Sequence, residues 1–214
     1  YNNNSTEILP ANSLINIFHK SFIEECKEQH EHEYFVVLGE NISKSINKDS
    51  FPENFTFYEA PFRPATKVFS LSSHNFFLKR IENKWKPDVV FTTSGPSYWR
   101  PKVGHVIGYN LPHYIYSDSP YFKNIPFSSN LKWKFKKIVA KYFFKRDADA
   151  LVVQTNDVKE RVKKLLSKKS VFTVSNTISE HYLSPRKAAK KLPVKAKNQF
   201  RLLTLSAWYP HKNL

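Results

Sequence analysis

Apolar positions along this chain switch repeatedly between helical spacing and short unbroken runs. Leu14, Ile15, Phe18, Phe22 and Ile23 recur at helical spacing and predict a helix over about residues 11–29 with one buried face. Tyr34-Phe35-Val36-Val37-Leu38 then forms a compact run ended by Gly39, the signature of a strand buried on both faces. Phe55-Thr56-Phe57-Tyr58 predicts a second strand, stopped by Pro61 and Pro64. A helix is expected from about Lys67 to Lys84, with Leu71, Phe76, Leu78 and Ile81 among its core positions. Val89-Val90-Phe91-Thr92-Thr93 is the clearest central strand, and it runs into the turn-rich loop Ser94–Trp99.

The alternation continues. His105–Tyr109 predicts a brief strand, and Asn130–Arg146 a strongly basic helix. On that helix Leu131, Phe135, Ile138, Val139, Tyr142 and Phe143 line the face expected to pack on the sheet. Trp133 and Phe144 fall near the opposite face, beside Lys137. Asp149–Gln154 is a strand, and Thr155 is placed to cap the next helix, whose buried face is Val158, Val162, Leu165 and Leu166. Val171–Val174 is a further strand. Residues 183–199, rich in Lys, Ala and Pro, read as a linker, and 201–205 restart a β pattern. Alternating helices and strands predict an α/β layered fold with a mostly parallel sheet. In such sheets ligands bind outside the carboxyl ends of the strands. Gly95 and Ser97, in the loop after the 89–93 strand, are therefore candidates to line a cleft.

Composition adds charge to this picture. Thirty-four Lys and Arg face 18 Asp and Glu, a formal +16, which attracts polyanions such as nucleic acid, anionic lipid headgroups or diphosphates. With four Gly there is no glycine-flanked aromatic platform for nucleic acid, so that class ranks behind the others. The basic helix with Trp133 and Phe144 outside suits peripheral contact with an anionic membrane. A dinucleotide-dependent enzyme such as an epimerase lacks its glycine-rich fingerprint here. Cys26 is the single cysteine, which excludes an internal disulfide and reads as a small apolar filler. The absence of Met and the abrupt end after Leu214 lead us to expect an excised piece of a longer chain. No apolar signal segment opens the sequence, so a cytoplasmic protein is expected.

Four segments carry a resemblance: PDVVFTTSGPSYWRPKVGHVIGYNLPHYIYSDSP at 87–120, DALVVQTNDVKERV at 149–162, VFTVSNTI at 171–178 and RLLTLSAWYPHKNL at 201–214. In this order and spacing they resemble the retaining GT-B glycosyltransferases of family 4, over somewhat under half of the chain. The resemblance implies two Rossmann-like domains facing each other across a cleft. Residues 1–182 would be the acceptor-side domain without its first strand, and 200–214 the opening of the donor-side domain. It implies sugar transfer from a nucleotide-sugar donor to a glycan or lipid-linked acceptor, with retention of configuration and without a metal or other cofactor. Cell-surface polysaccharide or glycolipid synthesis is the process it suggests.

The resemblance also suggests residues. Lys212 stands where the family places a lysine on the donor phosphates, whereas Ala207 replaces a common arginine. A cleft-facing histidine is expected near the reacting sugar, with His113 the first candidate for it and His105 the second. The paired glutamates that grip the donor sugar lie further into the second domain than residue 214, so residues 1–214 alone are expected to be inert. A basic module for nucleic acid or other polyanions is the alternative expectation.

Overall fold

A computed structural model describes residues 22–60, 68–123 and 125–175, with the isolated Asn198. The expected linker at 183–199 (Asn198 apart) and the strand at 201–205 lie outside the described residues. Among the described residues the strands are β1 (Tyr34–Leu38), β2 (Phe55–Glu59), β3 (Val89–Thr92), β4 (Gly104–Gly108), β5 (Ala150–Val153) and β6 (Ser170–Thr173). The long helices are α1 (Val68–Trp85), α2 (Phe127–Asp147) and α3 (Asn156–Leu165). Every strand pair is parallel. The architecture is α/β, in keeping with a Rossmann-like layered fold, but the ladder divides into a β1-β2 pair and a four-stranded sheet ordered β3-β4-β5-β6.

Each sheet has its own core. Under the four-stranded sheet, Ile107, Leu151, Val153 and Val171 meet Phe144 and Val162 from the helices and Ala148 and Leu166 just after them. Leu151 and Val153 are buried because β5 is flanked on both sides, in register Leu151 to Val171 and Ile107 to Leu151. The β1-β2 pair gathers Ile23, Leu38, Ile46 and Phe55, with Cys26 packed among them. Burial pushes the Cys26 thiol pKa up, helped by Glu25, which suits a filler rather than an activated thiolate. At the start of α3, Thr155 Oγ1 accepts from Val158 N at 3.3 Å, and Val162 and Leu166 are buried as their spacing predicts.

Four expectations need correction. The 89–92 strand is not central: it forms one edge of the four-stranded sheet, where Val89 (59% exposed) and Phe91 meet solvent. β1, expected to be buried on both faces, is half-exposed, and among the described residues it too has a partner strand on one side only. On α1, Leu78 and Ile81 are buried as expected, whereas Phe76 points outward.

The fourth correction concerns α2. Leu131, Phe135, Ile138 and Tyr142, expected to face the sheet, are exposed, and Phe144, expected outside, is the largest fully buried side chain among the described residues. The reason lies in the sheet. A Cβ on Gly95 would stand 2.6 Å from the Phe144 ring and 2.5 Å from Ile107, so the missing side chain makes the seat for Phe144. The small Ala140, four residues before Phe144, and the buried Asp147, three after it, each lie about one helical turn away and share that inward face. Trp133, also on this side, packs against His113 and Tyr114 at 4.8 and 6.1 Å between ring centroids.

Candidate functional site

Parallel strands deliver the residues that follow them to one common edge. After β3 come Thr93 and Ser94, after β4 Asn110, after β5 Gln154 and Thr155, and after β6 Ser175. Ser94, Asn110, Gln154, Thr155 and Ser175 are all exposed, so the described residues leave this carboxyl edge open. Asn110 Nδ2 donates to Thr93 O at 3.3 Å and ties the ends of β3 and β4 together. Thr173 Oγ1 donates to Asn156 Oδ1 at 2.8 Å, joining the end of β6 to the first turn of α3.

The segment after β4 forms one rim. Its 3-10 turn, Pro112–Tyr114, holds half-buried His113 against Tyr114 (4.1 Å between centroids) and Trp133. Further along, Tyr116 OH donates to Asp157 at 2.5 Å while Arg161 lies over the Tyr116 ring at 4.4 Å and bonds Asp157 at 3.1 Å. The Tyr116 hydroxyl and Arg161 both hold the Asp157 carboxyl below its ordinary pKa, so the clamp stays charged at neutral pH. The rim is thereby fastened to α3.

The residues expected from sequence divide between two places. His113 stands at the open edge. Gly95 lies beneath it, serving as the seat for Phe144. Ser97 belongs to the stretch that must carry the chain back to the amino end of β4; it is buried and donates to Trp99 O at 2.8 Å, with Asp147 at 3.4 Å. His105 is the second residue of β4, far from the edge's exposed row, and is 1% exposed. Its Nδ1–H donates to the Asp147 carbonyl at 3.0 Å, which leaves Nε2 to accept from Thr92 Oγ1 at 2.8 Å. Burial lowers the His105 pKa, so it is a neutral core histidine. Lys212 and Ala207 lie outside the described residues.

Sequence reasoning missed Asn110, Gln154 and Ser175. The signal was present: each is among the first exposed polar residues after an apolar run that becomes a strand. What the edge offers chemically is amide and hydroxyl groups in a row, with the His113 imidazole at the rim. Such groups both donate and accept, as hydroxyl-rich ligands require. Among the described residues no three His, Cys, Asp or Glu side chains converge to hold a metal.

No protein-family model and no curated protein matches this chain. Among the described residues, no helix is long and apolar enough to cross a membrane. The Tyr109 hydroxyl, just after β4, is buried without a hydrogen-bond partner. Buried hydroxyls are otherwise almost always paired.

Proposed function

We propose that this chain supplies the acceptor-side wall of a nucleotide-sugar-dependent glycosyltransferase that retains anomeric configuration. The observation that carries this reading is the open carboxyl edge, where Ser94, Asn110, Gln154 and Ser175 present exposed hydrogen-bonding groups, with His113 on the segment that follows β4. Sugar hydroxyls of a glycan or lipid-linked acceptor match those groups, and the His113 imidazole can donate to one of them or accept its proton. Lys212, in the segment that resembles the family's donor-side opening, would face the donor diphosphate. Positive charge there stabilises the departing diphosphate as the glycosidic bond breaks.

The test is a titration of the isotope-labelled chain with glycan and glycolipid acceptors, followed by amide chemical shifts. Shifts at Ser94, Asn110, His113 and Gln154 are expected. The Asn110→Ala/Gln154→Ala pair should weaken binding by about thirtyfold, since each lost hydrogen bond is worth ~1 kcal/mol. Shifts confined to the amino ends of the strands would overturn the reading. The +16 charge favours a second reading, polyanion binding, which predicts gel-shift complexes with nucleic acid that dissolve steeply with salt.

A further inference from the structure

Helix α2 carries two apolar faces, and only one of them is used. Phe144, Ala140 and Trp133 face the fold. On the other side Phe127, Leu131, Phe135, Ile138 and Tyr142 follow one another at intervals of three or four residues, and all are exposed, Phe127 at 83% and Phe135 at 66%. That spacing aligns them in a single stripe about 22 Å long, at a rise of ~1.5 Å per residue. The stripe lies across the helix from the residues that hold it to the sheet.

What surrounds the stripe identifies its partner. Between Phe127 and Arg146 the helix has seven basic residues and no acidic one. Lys134, Lys141 and Lys145 fall along one border of the stripe, and Lys132 and Arg146 along the other. Their long stems can lie beside the apolar residues while the charges reach outward. A protein partner with an apolar groove would match the stripe, but nothing in such a groove requires cationic borders on both sides. Nucleic acid would match the lysines and leave five large apolar side chains against phosphate and water. An anionic lipid surface satisfies both at once: headgroups meet the lysines, and the stripe enters the acyl boundary.

We propose that α2 is a peripheral membrane anchor, lying flat on anionic lipid with Phe127, Leu131, Phe135, Ile138 and Tyr142 inserted. The surface differs from the one expected from sequence, since Trp133 and Phe144 point into the protein. It also stands independently of the sugar-transfer reading, because it uses no residue of the carboxyl edge.

Flotation of residues 1–214 with vesicles tests it. Vesicles of phosphatidylcholine with phosphatidylglycerol should carry the protein upward, and pure phosphatidylcholine vesicles should not. Phe135→Ser/Ile138→Ser should reduce partitioning by tenfold or more with an unchanged circular dichroism spectrum, as both positions are exposed. Lys134→Gln/Lys141→Gln/Lys145→Gln should reduce it by about fivefold per charge removed. Three results would each overturn the proposal. The first is no flotation with anionic vesicles. The second is flotation unchanged in the Phe135/Ile138 variant and abolished by salt that shortens the Debye length to about 3 Å, which is charge attraction without insertion. The third is a dimer by analytical ultracentrifugation that Phe135→Ser/Ile138→Ser dissociates, which makes the stripe an interface between copies.

Discussion

Replacing Phe144 and Phe135 separately by alanine separates the two ways of seating α2 on the sheet. Both are phenylalanines on one helix, with lysine close by in sequence, so intrinsic helix propensity cancels in the comparison. Phe144 is 1% exposed, and its ring lies 4.9 Å from that of Tyr109 and fills the space a Gly95 side chain would take. Removing a buried ring from such a site costs about 3–5 kcal/mol, combining lost transfer energy with the cavity left behind. Against a total stability of ~5–15 kcal/mol, that is a large fraction. At ~2–4 °C per kcal/mol for a chain this long, Tm should fall by about 6–20 °C. Phe135 touches mainly solvent, so Phe135→Ala should stay within about 0.5 kcal/mol of the parent. Urea titration followed by far-UV circular dichroism reads both. Equal losses, or a larger loss for Phe135→Ala, would mean that α2 is seated by the stripe and that its orientation described above is wrong.

Gly108→Ala should be more damaging than its size suggests, because a Cβ there would stand 2.2 Å from the backbone carbonyl of Thr93. Backbone has to move, so a loss of about 1–3 kcal/mol in the same urea titration is expected, and a neutral result would contradict the β3–β4 packing. His105 makes stability depend on pH. Its folded pKa lies below the unfolded value of ~6.5, so the unfolded chain binds more protons as pH falls below that value, and stability declines there. Imidazole NMR should find His105 titrating below ~6.5 with its proton on Nδ1, and a midpoint at or above that value would refute the buried neutral tautomer.

Strand and helix positions were legible because their signals are local. The runs at 34–38, 55–58, 150–153 and 171–173 became strands, and the Thr155 cap and the Val162–Leu166 face formed as their spacing predicts. The seating of α2 was not legible, for a physical reason. Large apolar side chains occur around most of that helix, so periodicity alone has no single direction to choose. The deciding contacts, Phe144 on Gly95 and Trp133 on His113, join residues far apart in sequence. The same limit applied at the site. Its location after the strands followed from parallel topology, whereas Ser97 and His105 looked available only because sequence does not show which end of a strand a connecting segment has reached. Both are spent on hydrogen bonds inside the fold.

Among the described residues no strand pairs with the outer side of β3, and this has a further consequence. Main-chain amides and carbonyls beside Val89 and Phe91 form a template onto which another extended chain can add, the usual first step toward fibrous association. A solution of these molecules is held apart by the mutual repulsion of bodies each carrying +16. Colloidal behaviour is thereby tied to ionic strength: the salt that screens the repulsion also brings the adhesive edges within reach of one another.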